Sequence, residues 1–341
     1  MEAIILAGGF GTRLRPLTYT RAKSLLPILN EPMISYIINM LPKQVNKVIL
    51  AVNYRKKQIE NYFQNNDFGL EIIVNDEKKP LGTGGAVKFA EKHITDQFFV
   101  LNSDIICSLK LEEMMKFHKK NNAISTISLW PVENVSEFGV VDLKNKGKII
   151  DFVEKPKTED APSNLINAGA YLLNPMILDY IDTNRLVSME KEIFPQIIKD
   201  TDKFYGLKFE GYWMDIGRIK SYLYANKFLL EKNNLENCVN KDNEIEGEIN
   251  KSVIGNNVII EKNSKIESSI IYDNVVINGN VNISNCVIGE NCHIGSFSTI
   301  SNCVLGDKEK LNENSKFDNR IIWTQPIPDN YPKKQIGNAL K

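Results

Sequence analysis

A repeat of seventeen residues in the last third of the chain constrains the fold more than any other feature. Apolar residues recur in steps of six, six and five, so that Ile254, Ile271, Ile288 and Leu305 lie seventeen residues apart. Such a repeat is typical of a parallel β-helix of triangular cross-section, in which each coil stacks its aliphatic side chains inside. The sequence therefore predicts a left-handed parallel β-helix over residues 245–315, followed by a C-terminal tail over residues 316–341. Asparagine and glycine are expected at its corners because both tolerate positive φ.

The aligned repeats place two cysteines at equivalent positions of neighbouring coils. The segments SVIGNN, SIIYDN, CVIGEN and CVLGDK align, so Cys286 and Cys303 should stack about one strand spacing apart, ~4.8 Å. We interpret them as small buried side chains, and the odd total of five cysteines without a C-x-x-C pair indicates reduced thiols. His293 lies in the same repeat, and we expect it at a surface corner and not in an acyltransferase site.

A glycine loop follows the first apolar run of the chain. The run from Ala3 to Ala7 leads directly into Gly8-Gly9-Phe10-Gly11-Thr12-Arg13. A buried strand that opens into glycines leaves a row of backbone N–H groups at the carboxyl edge of a sheet, where phosphate oxygens can bind. Arg13 and Arg15 add guanidinium donors suited to phosphate. The pattern is neither G-x-G-x-x-G nor a P-loop, and a simple tight turn is the alternative to a phosphate-binding loop.

Up to about residue 232, apolar strand-like runs alternate with helical patterns. Strands are predicted at Lys47–Val52, Leu70–Val74 and Phe98–Leu101, with helical patterns between them. Near-continuous apolar strands alternating with helices predict an α/β domain with a Rossmann-like, mostly parallel sheet. Ligands on such sheets bind at the carboxyl ends of the strands, which is where the glycine loop is expected.

Composition excludes several classes of function. The chain has 42 basic and 42 acidic residues, which gives no general attraction to nucleic acid or to a membrane surface. Its apolar runs are too short to span a bilayer, and Met1-Glu2 leads directly into the first strand, so we expect a cytoplasmic protein. None of the three histidines lies beside a plausible serine or cysteine nucleophile, which argues against zinc ligation and against a hydrolase triad.

Eight segments, in order, resemble motifs of one enzyme family. They are LAGGFGTRL at residues 6–14, PLGTGG at 80–85, FVLNSD at 99–104, EFGVV at 137–141, FVEKP at 152–156, INAG at 166–169, SMEKEIFP at 188–195 and GYWMDIG at 211–217. With a β-helix behind them, they make the chain similar to the sugar-1-phosphate nucleotidyltransferases, and nearest to those that transfer guanylyl groups to mannose 1-phosphate. The resemblance implies a nucleotidyltransferase domain over residues 1–232.

The resemblance also implies the reaction and its metal. The sugar 1-phosphate attacks the α-phosphorus of a nucleoside triphosphate, GTP being favoured here, and pyrophosphate leaves. A phosphate monoester is already an anion at neutral pH and needs no general base, which fits the scarcity of histidine. Asp104 and Asp215 are the implied ligands of a Mg²⁺ cofactor. Taken singly, either aspartate could instead cap a helix.

The family pattern assigns the nucleotide-binding residues. The glycine loop and Lys23 are the implied phosphate contacts. Gly82 belongs to a second glycine motif, PLGTGG at residues 80–85. The implied set is Leu6, Ala7, Gly8, Gly9, Gly11, Thr12, Arg13, Lys23, Glu77, Gly82 and Asp104. The family surrounds its lysine with prolines, whereas this chain has Ala22-Lys23-Ser24, which keeps the charge and removes both rigid residues.

Sugar-phosphate contacts are implied for Gly139, Glu154, Lys155 and Asn167. Lys155 should contact the phosphate, although a surface pair with Glu154 is the alternative. Trp213 and Tyr212 are interpreted as packing residues that hold Asp215. Arg13, Lys23, Asp104, Lys155 and Asp215 form the implied catalytic set.

Glu77 stands where pyrimidine-using relatives carry a glutamine. A carboxylate only accepts hydrogen bonds, which suits the adjacent N1–H and N2–H donors of guanine and opposes the oxygens of uracil or thymine. We therefore expect Glu77 to recognise guanine. A solvated carboxylate in the charged run Asp76–Lys79 is the alternative.

Other functions stay open at this point. The chain could be a glucose-1-phosphate thymidylyl- or uridylyltransferase, or a catalytically silent regulatory subunit of the same fold. A bifunctional enzyme whose β-helix acylates is a further alternative. We expect a homo-oligomer, because the open coil edges of a β-helix invite association.

Overall fold

The computed structural model describes residues 1–183, 185–328 and 331. These residues form two compact units, one made of Met1–Gly9 and Ile34–Asp215, the other of Phe10–Met33 and the described part of Ile216–Lys341. The boundary between the units falls inside the glycine loop, between Gly9 and Phe10. No helix within the described ranges is long and apolar enough to cross a membrane.

The regular elements are short and numerous. The helices are α1 (Leu17–Thr20), α2 (Met33–Asn39), α3 (Lys56–Asn65), α4 (Gly82–Phe89), α5 (Leu111–Lys120), α6 (Phe194–Asp200), which continues a π-helical turn at Met189–Ile193, and α7 (Ile219–Lys232). Up to Asp215 the strands are β1 (Glu2–Leu6), β2 (Pro27–Ile28), β3 (Glu31–Pro32), β4 (Lys47–Val52), β5 (Glu71–Asp76), β6 (Phe98–Asn102), β7 (Ile105–Cys107), β8 (Ser125–Pro131), β9 (Gly139–Lys144), β10 (Lys148–Glu154), β11 (Leu165–Leu173), β12 (Phe204–Lys208) and β13 (Trp213–Asp215). The remaining strands are β14 (Cys238–Val239), β15 (Glu244–Ile245), β16 (Glu248–Asn250), β17 (Val253–Ile254), β18 (Ile259–Ile260), β19 (Lys265–Glu267), β20 (Ile270–Ile271), β21 (Val276–Ile277), β22 (Asn282–Ser284), β23 (Val287–Ile288), β24 (His293–Ile294), β25 (Thr299–Ser301), β26 (Val304–Leu305), β27 (Lys310–Leu311), β28 (Lys316–Asp318) and β29 (Ile321–Ile322).

The first unit is built on a nine-stranded sheet of order β5-β4-β1-β6-β11-β8-β12-β10-β9. The strands β5, β4, β1 and β6 are all parallel, as in the predicted Rossmann-like arrangement. Beyond β6 the sheet is mixed, because β11 runs antiparallel to β6, β8 and β9. The Rossmann-like α/β prediction is confirmed, with parallel pairing concentrated in the half of the sheet that carries the glycine loop.

Burial explains why the strands in the parallel half of the sheet could be predicted from the sequence. Ile4, Val48 and Val100 on the adjacent strands β1, β4 and β6 are completely buried. Strands covered on both faces are apolar at nearly every position, which produces the continuous runs seen in the sequence. The predicted strand Lys47–Val52 has the observed bounds of β4, and the other two predicted strands differ from β5 and β6 by one or two residues at their ends.

The second unit contains the β-helix, formed by three parallel sheets of six, five and five short strands. Ile254 pairs with Ile271, Ile271 with Ile288, and Ile288 with Leu305, so the predicted seventeen-residue period is the observed register. Leu305 pairs in turn with Ile322, which extends the coils beyond residue 315. The predicted β-helix is confirmed, and its coils take in the first residues of the predicted tail; residues 329–330 and 332–341 lie outside the described residues.

The coils also begin earlier than the sequence period shows. Val239 pairs with Ile254 and Ile245 with Ile260, although each pair is only fifteen residues apart. Ile249 and Ile266 regain the seventeen-residue offset. The first coil is therefore shorter at one corner. Because of this irregularity, its residues do not follow the seventeen-residue period.

Corner geometry confirms the prediction for asparagine only. Asn257, Asn274 and Asn291 repeat every seventeen residues with φ of 53°, 58° and 59°. The glycines of the coils do not have positive φ. A Cβ on Gly289 would lie 2.7 Å from the backbone nitrogen of Asp307 in the next coil. The prediction of positive φ at these glycines is wrong, because they serve close approach between coils.

The serine and cysteine column is held by hydrogen bonds between coils. The backbone N–H of Ser269 donates to Ser252 Oγ at 3.1 Å, that of Cys286 to Ser269 Oγ at 3.0 Å, and that of Cys303 to Cys286 Sγ at 3.4 Å. Burial raises the pKa of the Cys286 thiol to about 12. The interpretation of these cysteines as small buried side chains is confirmed. His293 is exposed, as predicted, but it lies on strand β24 and not at a corner.

Candidate active site

In the first unit, the carboxyl ends of the parallel strands gather the first half of the glycine loop and Asp104. Leu6, the last residue of β1, lies between Ala51 and Asn102 in the sheet register. Ala7 then donates its N–H to Ala51 O at 2.9 Å. Asp104 follows two residues after Asn102, so it leaves the sheet beside the strand that carries the loop. This is the edge where the sequence predicted a ligand.

The two glycines in this part of the loop differ in their surroundings. A Cβ on Gly8 would lie 3.4 Å from the backbone nitrogen of Asn53, which is a tight contact. Gly9 is exposed, and apart from Gly9 and its two chain neighbours, no atom of the described residues lies within 4 Å of the position that its Cβ would take. Packing therefore does not require a glycine at Gly9, whereas close approach of a ligand to the backbone would.

The two predicted metal ligands are brought together by one small ladder. Strand β13 pairs antiparallel with β7, and Asp215 lies opposite Ile105, the residue next to Asp104. Both aspartates are half-buried. No cluster of three or more histidine, cysteine or acidic residues suited to a metal occurs in the part of the chain that the structure describes. Two carboxylates suit a Mg²⁺ that fills its other positions with phosphate oxygens and water.

Aromatic packing supports this ladder. Trp213 donates its indole N–H to Ala168 O at 3.0 Å, and its ring meets Phe138 edge-on with the centroids 5.5 Å apart. Tyr212 is fixed through its backbone, since Ser108 N donates to Tyr212 O at 3.0 Å. Both contacts agree with the interpretation of Trp213 and Tyr212 as packing residues that hold Asp215.

Glu77 is buried, with 6% of its surface exposed, whereas Asp76, Lys78 and Lys79 beside it are exposed. Its N–H donates to Val52 O at 2.8 Å, which fixes it at the carboxyl end of β5. Leu81 N donates to Glu77 Oε2 at 3.3 Å, and burial raises the pKa of the carboxyl. The alternative of a solvated charge in a polar run is therefore wrong.

The second glycine motif has a packing role. Gly82 begins α4 with φ of 75°, and a Cβ on it would lie 2.5 Å from Val187 O. The same carbonyl accepts the N–H of Gly84 at 2.9 Å and that of Gly85 at 3.3 Å. The first-turn donors of α4 are thus used by the protein itself, and the motif fixes the segment around Val187 beside the helix.

Three of the predicted sugar-phosphate residues lie at one end of the β9–β10 pair. Glu154 is opposite Gly139 in the register. A Cβ on Gly139 would lie 2.9 Å from Glu154 Oε2 and would clash with the ring of Phe152, so only glycine leaves room for that carboxylate. Lys155 has φ of 51°, is exposed, and places its Nζ 3.8 Å from Glu154 Oε1.

The fourth, Asn167, belongs to a hydrogen-bond network that includes residues missed at the sequence level. Asn167 Nδ2 donates to Tyr171 OH at 2.8 Å, and Tyr171 OH donates to Glu190 Oε1 at 3.2 Å. Glu190 Oε2 also accepts from Thr83 Oγ1 at 2.7 Å and from Ser188 Oγ at 2.8 Å. Three of these residues lie within the PLGTGG and SMEKEIFP segments, so polar side chains inside the motifs were the available signal.

The charge of Glu190 sets the direction of this network. A carboxylate only accepts, so Tyr171 must donate to Glu190 and accept from the amide of Asn167. Asn167 Oδ1 then accepts from Gly169 N at 3.1 Å, which fixes the amide orientation. Burial and the charge of Glu190 raise the pKa of Glu154.

The remaining predicted phosphate residues belong to the second unit. Gly11 has φ of 62°, and a Cβ there would lie 2.7 Å from Thr18 Cγ2 and 3.2 Å from Lys23 Cβ. Thr12 and Arg13 are exposed in a 3₁₀ turn, and Lys23 begins another. Gly11 therefore meets both demands on a glycine, a left-handed backbone and a close contact.

Arg15 is not placed as predicted. It is buried, donates through Nε to Tyr331 OH at 2.7 Å, and lies over the Tyr331 ring at 4.7 Å from the centroid. Its guanidinium therefore holds the fold of the second unit, and the interpretation as a phosphate ligand is wrong. His118 is also structural, since Nδ1 lies 2.8 Å from Thr126 Oγ1 and burial lowers its pKa to about 4.

Comparison with known proteins identifies the family. Residues 2–232 match the nucleotidyl transferase family, and residues 238–336 match the GMPPB C-terminal domain. A mannose-1-phosphate guanylyltransferase catalytic subunit beta of Dictyostelium discoideum is 44% identical over 65% of this chain and 63% of its own length. A mannose-1-phosphate guanyltransferase of Yarrowia lipolytica is 41% identical over 78% of this chain and 73% of its own.

A solved structure shares the fold over two thirds of the chain. HddC from Yersinia pseudotuberculosis, complexed with GMP-PN, aligns with a TM-score of 0.55 and 27% identity over 67% of this chain and 99% of its own. The chain spans about 63% of the length of the Dictyostelium relative. The family matches cover both the α/β sheet with its glycine loop and the β-helix, and the chain belongs to the nucleotidyl transferase family.

Proposed function

We propose that the protein transfers a guanylyl group from GTP to mannose 1-phosphate and releases pyrophosphate. The observation that carries the proposal is the buried Glu77 carboxylate, which lies at the same sheet edge as the start of the glycine loop and Asp104. The named mannose-1-phosphate guanylyltransferases that the chain resembles support the choice of sugar phosphate and nucleotide.

The reaction is a displacement at phosphorus. An oxygen of the mannose phosphate forms a bond to the α-phosphorus of GTP, and the bond from that phosphorus to the bridging oxygen of the β-phosphate breaks. Pyrophosphate carries away the electron pair, and GDP-mannose is formed. Since the attacking phosphate is already an anion, the protein has to align the reactants and neutralise charge.

Charge neutralisation falls to cations and to a divalent metal. Following the resemblance, Lys155 would contact the sugar phosphate, and Arg13 and Lys23 would contact the triphosphate. Asp104 and Asp215 would hold Mg²⁺, which when bound would neutralise negative charge on the phosphates. The β7–β13 ladder supports this assignment because it pairs Asp215 with Ile105, the residue that follows Asp104.

Guanine recognition follows from the chemistry of Glu77. Its carboxylate accepts one hydrogen bond, from Leu81 N, among the described residues. The remaining lone pairs can accept from guanine N1–H and N2–H. The complex of HddC with GMP-PN, a protein that is 27% identical to this chain, supports the choice of a guanine nucleotide.

Sugar binding would use Gly139, Glu154 and Asn167. Glu154 presents acceptors, and the fixed amide of Asn167 presents an oriented donor and acceptor. We also propose that the protein is cytoplasmic and that it forms a homo-oligomer. Light scattering of the purified protein would test the oligomeric state.

Pyrophosphate release in the presence of Mg²⁺ tests the proposal. GTP, UTP, dTTP and ATP are each combined with mannose 1-phosphate and with glucose 1-phosphate. The expected maximum is GTP with mannose 1-phosphate. A maximum for UTP or dTTP with glucose 1-phosphate would overturn the specificity, and absence of release from folded protein with every pair would indicate a silent subunit.

A further inference from the structure

The β-helix carries a column of acidic side chains. Asp273, Glu290 and Asp307 occupy equivalent positions in three successive coils, seventeen residues apart. Carboxylates stacked at strand spacing repel one another. The carboxylates of the column therefore need hydrogen-bond donors, either from the backbone of the coils or from residues outside the β-helix.

Part of the compensation is local. Asn256 N donates to Asp273 Oδ1 and Glu290 N donates to Asp307 Oδ1, both at 2.8 Å. Each bond links one coil to the next and satisfies one carboxylate oxygen. These neutral donors stabilise the carboxylates without cancelling their charge.

A positive charge comes from the segment Phe10–Met33, which belongs to the same compact unit as the β-helix. Arg21 Nη2 donates to Glu290 Oε2 at 2.6 Å, and Thr20 Oγ1 donates to Asp307 Oδ2 at 2.6 Å. The Arg21 guanidinium also lies over the Tyr272 ring, 4.7 Å from its centroid. Two consecutive residues of the segment thus bind two consecutive coils.

The contact is built as a partly buried network. The Arg21 side chain is 20% exposed and that of Glu290 34%. Arg21 Nη1 is buried, and the guanidinium lies over the face of the Tyr272 ring. Isolated exposed pairs contribute little, but this cation combines an ion pair, an aromatic face and a column of acidic neighbours.

The same segment carries the predicted triphosphate lysine. Lys23 follows Arg21 by two residues, and the intervening Ala22 is buried and extended, with φ of −62° and ψ of 138°. A Cβ on Gly11 would lie 2.7 Å from Thr18 Cγ2 and 3.2 Å from Lys23 Cβ, so the backbone of Gly11 passes close to both side chains. A displacement of Arg21 would therefore reach both Lys23 and the glycine loop.

We propose that Arg21 is a positioning residue, and that its binding to the acidic column of the β-helix holds Lys23 in the conformation that binds the triphosphate. The inference rests on the proposed function, because it assigns Lys23 to the triphosphate. The prolines that flank this lysine in the family are absent from Ala22-Lys23-Ser24. The contact of Arg21 with the β-helix adds a restraint to that of the 3₁₀ turn that begins at Lys23.

The first experiment separates positioning from general stability. Arg21→Met and Glu290→Gln are compared with Lys265→Met, which breaks a pair with Glu248 at 3.2 Å between neighbouring coils of the same β-helix. Arg21→Met should raise the KM for the triphosphate about 5- to 30-fold, with the KM for the sugar phosphate within about twofold. Glu290→Gln should act in the same direction, and Lys265→Met should change neither constant. An unchanged triphosphate KM in both Arg21→Met and Glu290→Gln would overturn the proposal.

The second experiment asks whether Arg21 acts through Lys23. Lys23→Ala is combined with Arg21→Met, and the triphosphate KM of the four proteins forms a double-mutant cycle. Positioning predicts that Arg21→Met has little further effect once Lys23 is removed. If the two substitutions instead raise the triphosphate KM by independent factors that multiply in the double variant, positioning is refuted.

A measurement that does not depend on activity guards against a trivial loss of folding. Hydrogen exchange of residues 10–33 needs no substrate: faster exchange in Arg21→Met than in Lys265→Met supports the restraint even if a different triphosphate proves to be the substrate, whereas equal exchange contradicts it.

Discussion

Replacing Glu77 with glutamine tests the base-recognition argument most directly. The change keeps the volume of the side chain and removes its charge. The carboxylate is buried and accepts one protein hydrogen bond, from Leu81 N, among the described residues. Glutamine can still accept one hydrogen bond, but its NH₂ group would face a guanine donor.

The expected loss follows from the two guanine contacts. A hydrogen bond to a charged group contributes about 1.5–3 kcal/mol, and we expect roughly that amount to be lost in total, because one acceptor remains. This corresponds to an increase of about 10- to 150-fold in the KM for GTP. The KM for UTP should fall at the same time, because glutamine can both donate to and accept from a uracil edge.

The pH dependence provides a second readout of the same group. Burial raises the pKa of the Glu77 carboxyl, and guanine binding requires its ionised form. The KM for GTP should therefore rise as pH falls through that raised pKa and be flat above it. The Glu77→Gln enzyme should lose this dependence, while the part of the profile that comes from substrate phosphate titration stays in both proteins.

Asp76→Asn is the matched control, because it removes a neighbouring carboxylate that is exposed and paired with Lys56 at 3.2 Å. It should leave the ratio of GTP to UTP turnover unchanged. If Glu77→Gln, folded to the same melting temperature, also leaves that ratio unchanged, Glu77 does not recognise guanine.

The remaining predictions concern the metal site, the sugar phosphate and the second glycine motif. Asp104→Asn and Asp215→Asn should each lower kcat by orders of magnitude with the melting temperature nearly unchanged, measured by pyrophosphate release and calorimetry; normal activity in both would remove the metal assignment. Lys155→Ala should chiefly raise the KM for the sugar phosphate, and an effect confined to the triphosphate KM would contradict its role. Gly82→Ala should lower the free energy of unfolding by about 1–3 kcal/mol, measured by urea denaturation, because its Cβ would meet Val187 O at 2.5 Å and its φ is 75°; an unchanged midpoint would refute the packing role.

The features predicted correctly from sequence are those with a short-range cause. The coil register at Ile254, Ile271 and Ile288 follows from a fixed period, and the strand β4 follows from a continuous apolar run. The first coil was missed because one of its corners is two residues shorter, as the pairing of Val239 with Ile254 shows. A periodic pattern can reveal only the coils that obey the period.

Side-chain environments were less predictable, because burial depends on contacts distant in sequence. Glu77 lies in a charged run and is nevertheless buried, while Arg15 lies two residues from Arg13 and is held by Tyr331. Residue type alone gave both arginines the same predicted role. Only the packed structure separates a guanidinium that is stacked on aromatic rings from one that is exposed.

The acidic column shows how local pattern and distant contact combine. The seventeen-residue period is enough to predict that Asp273, Glu290 and Asp307 stack, and electrostatics requires that such a stack be compensated. No local rule indicates that the compensating cation is Arg21, from the opposite end of the chain. Because that arginine lies two residues before Lys23, the cation that pairs with the acidic column is also the one placed to order the predicted phosphate-binding segment.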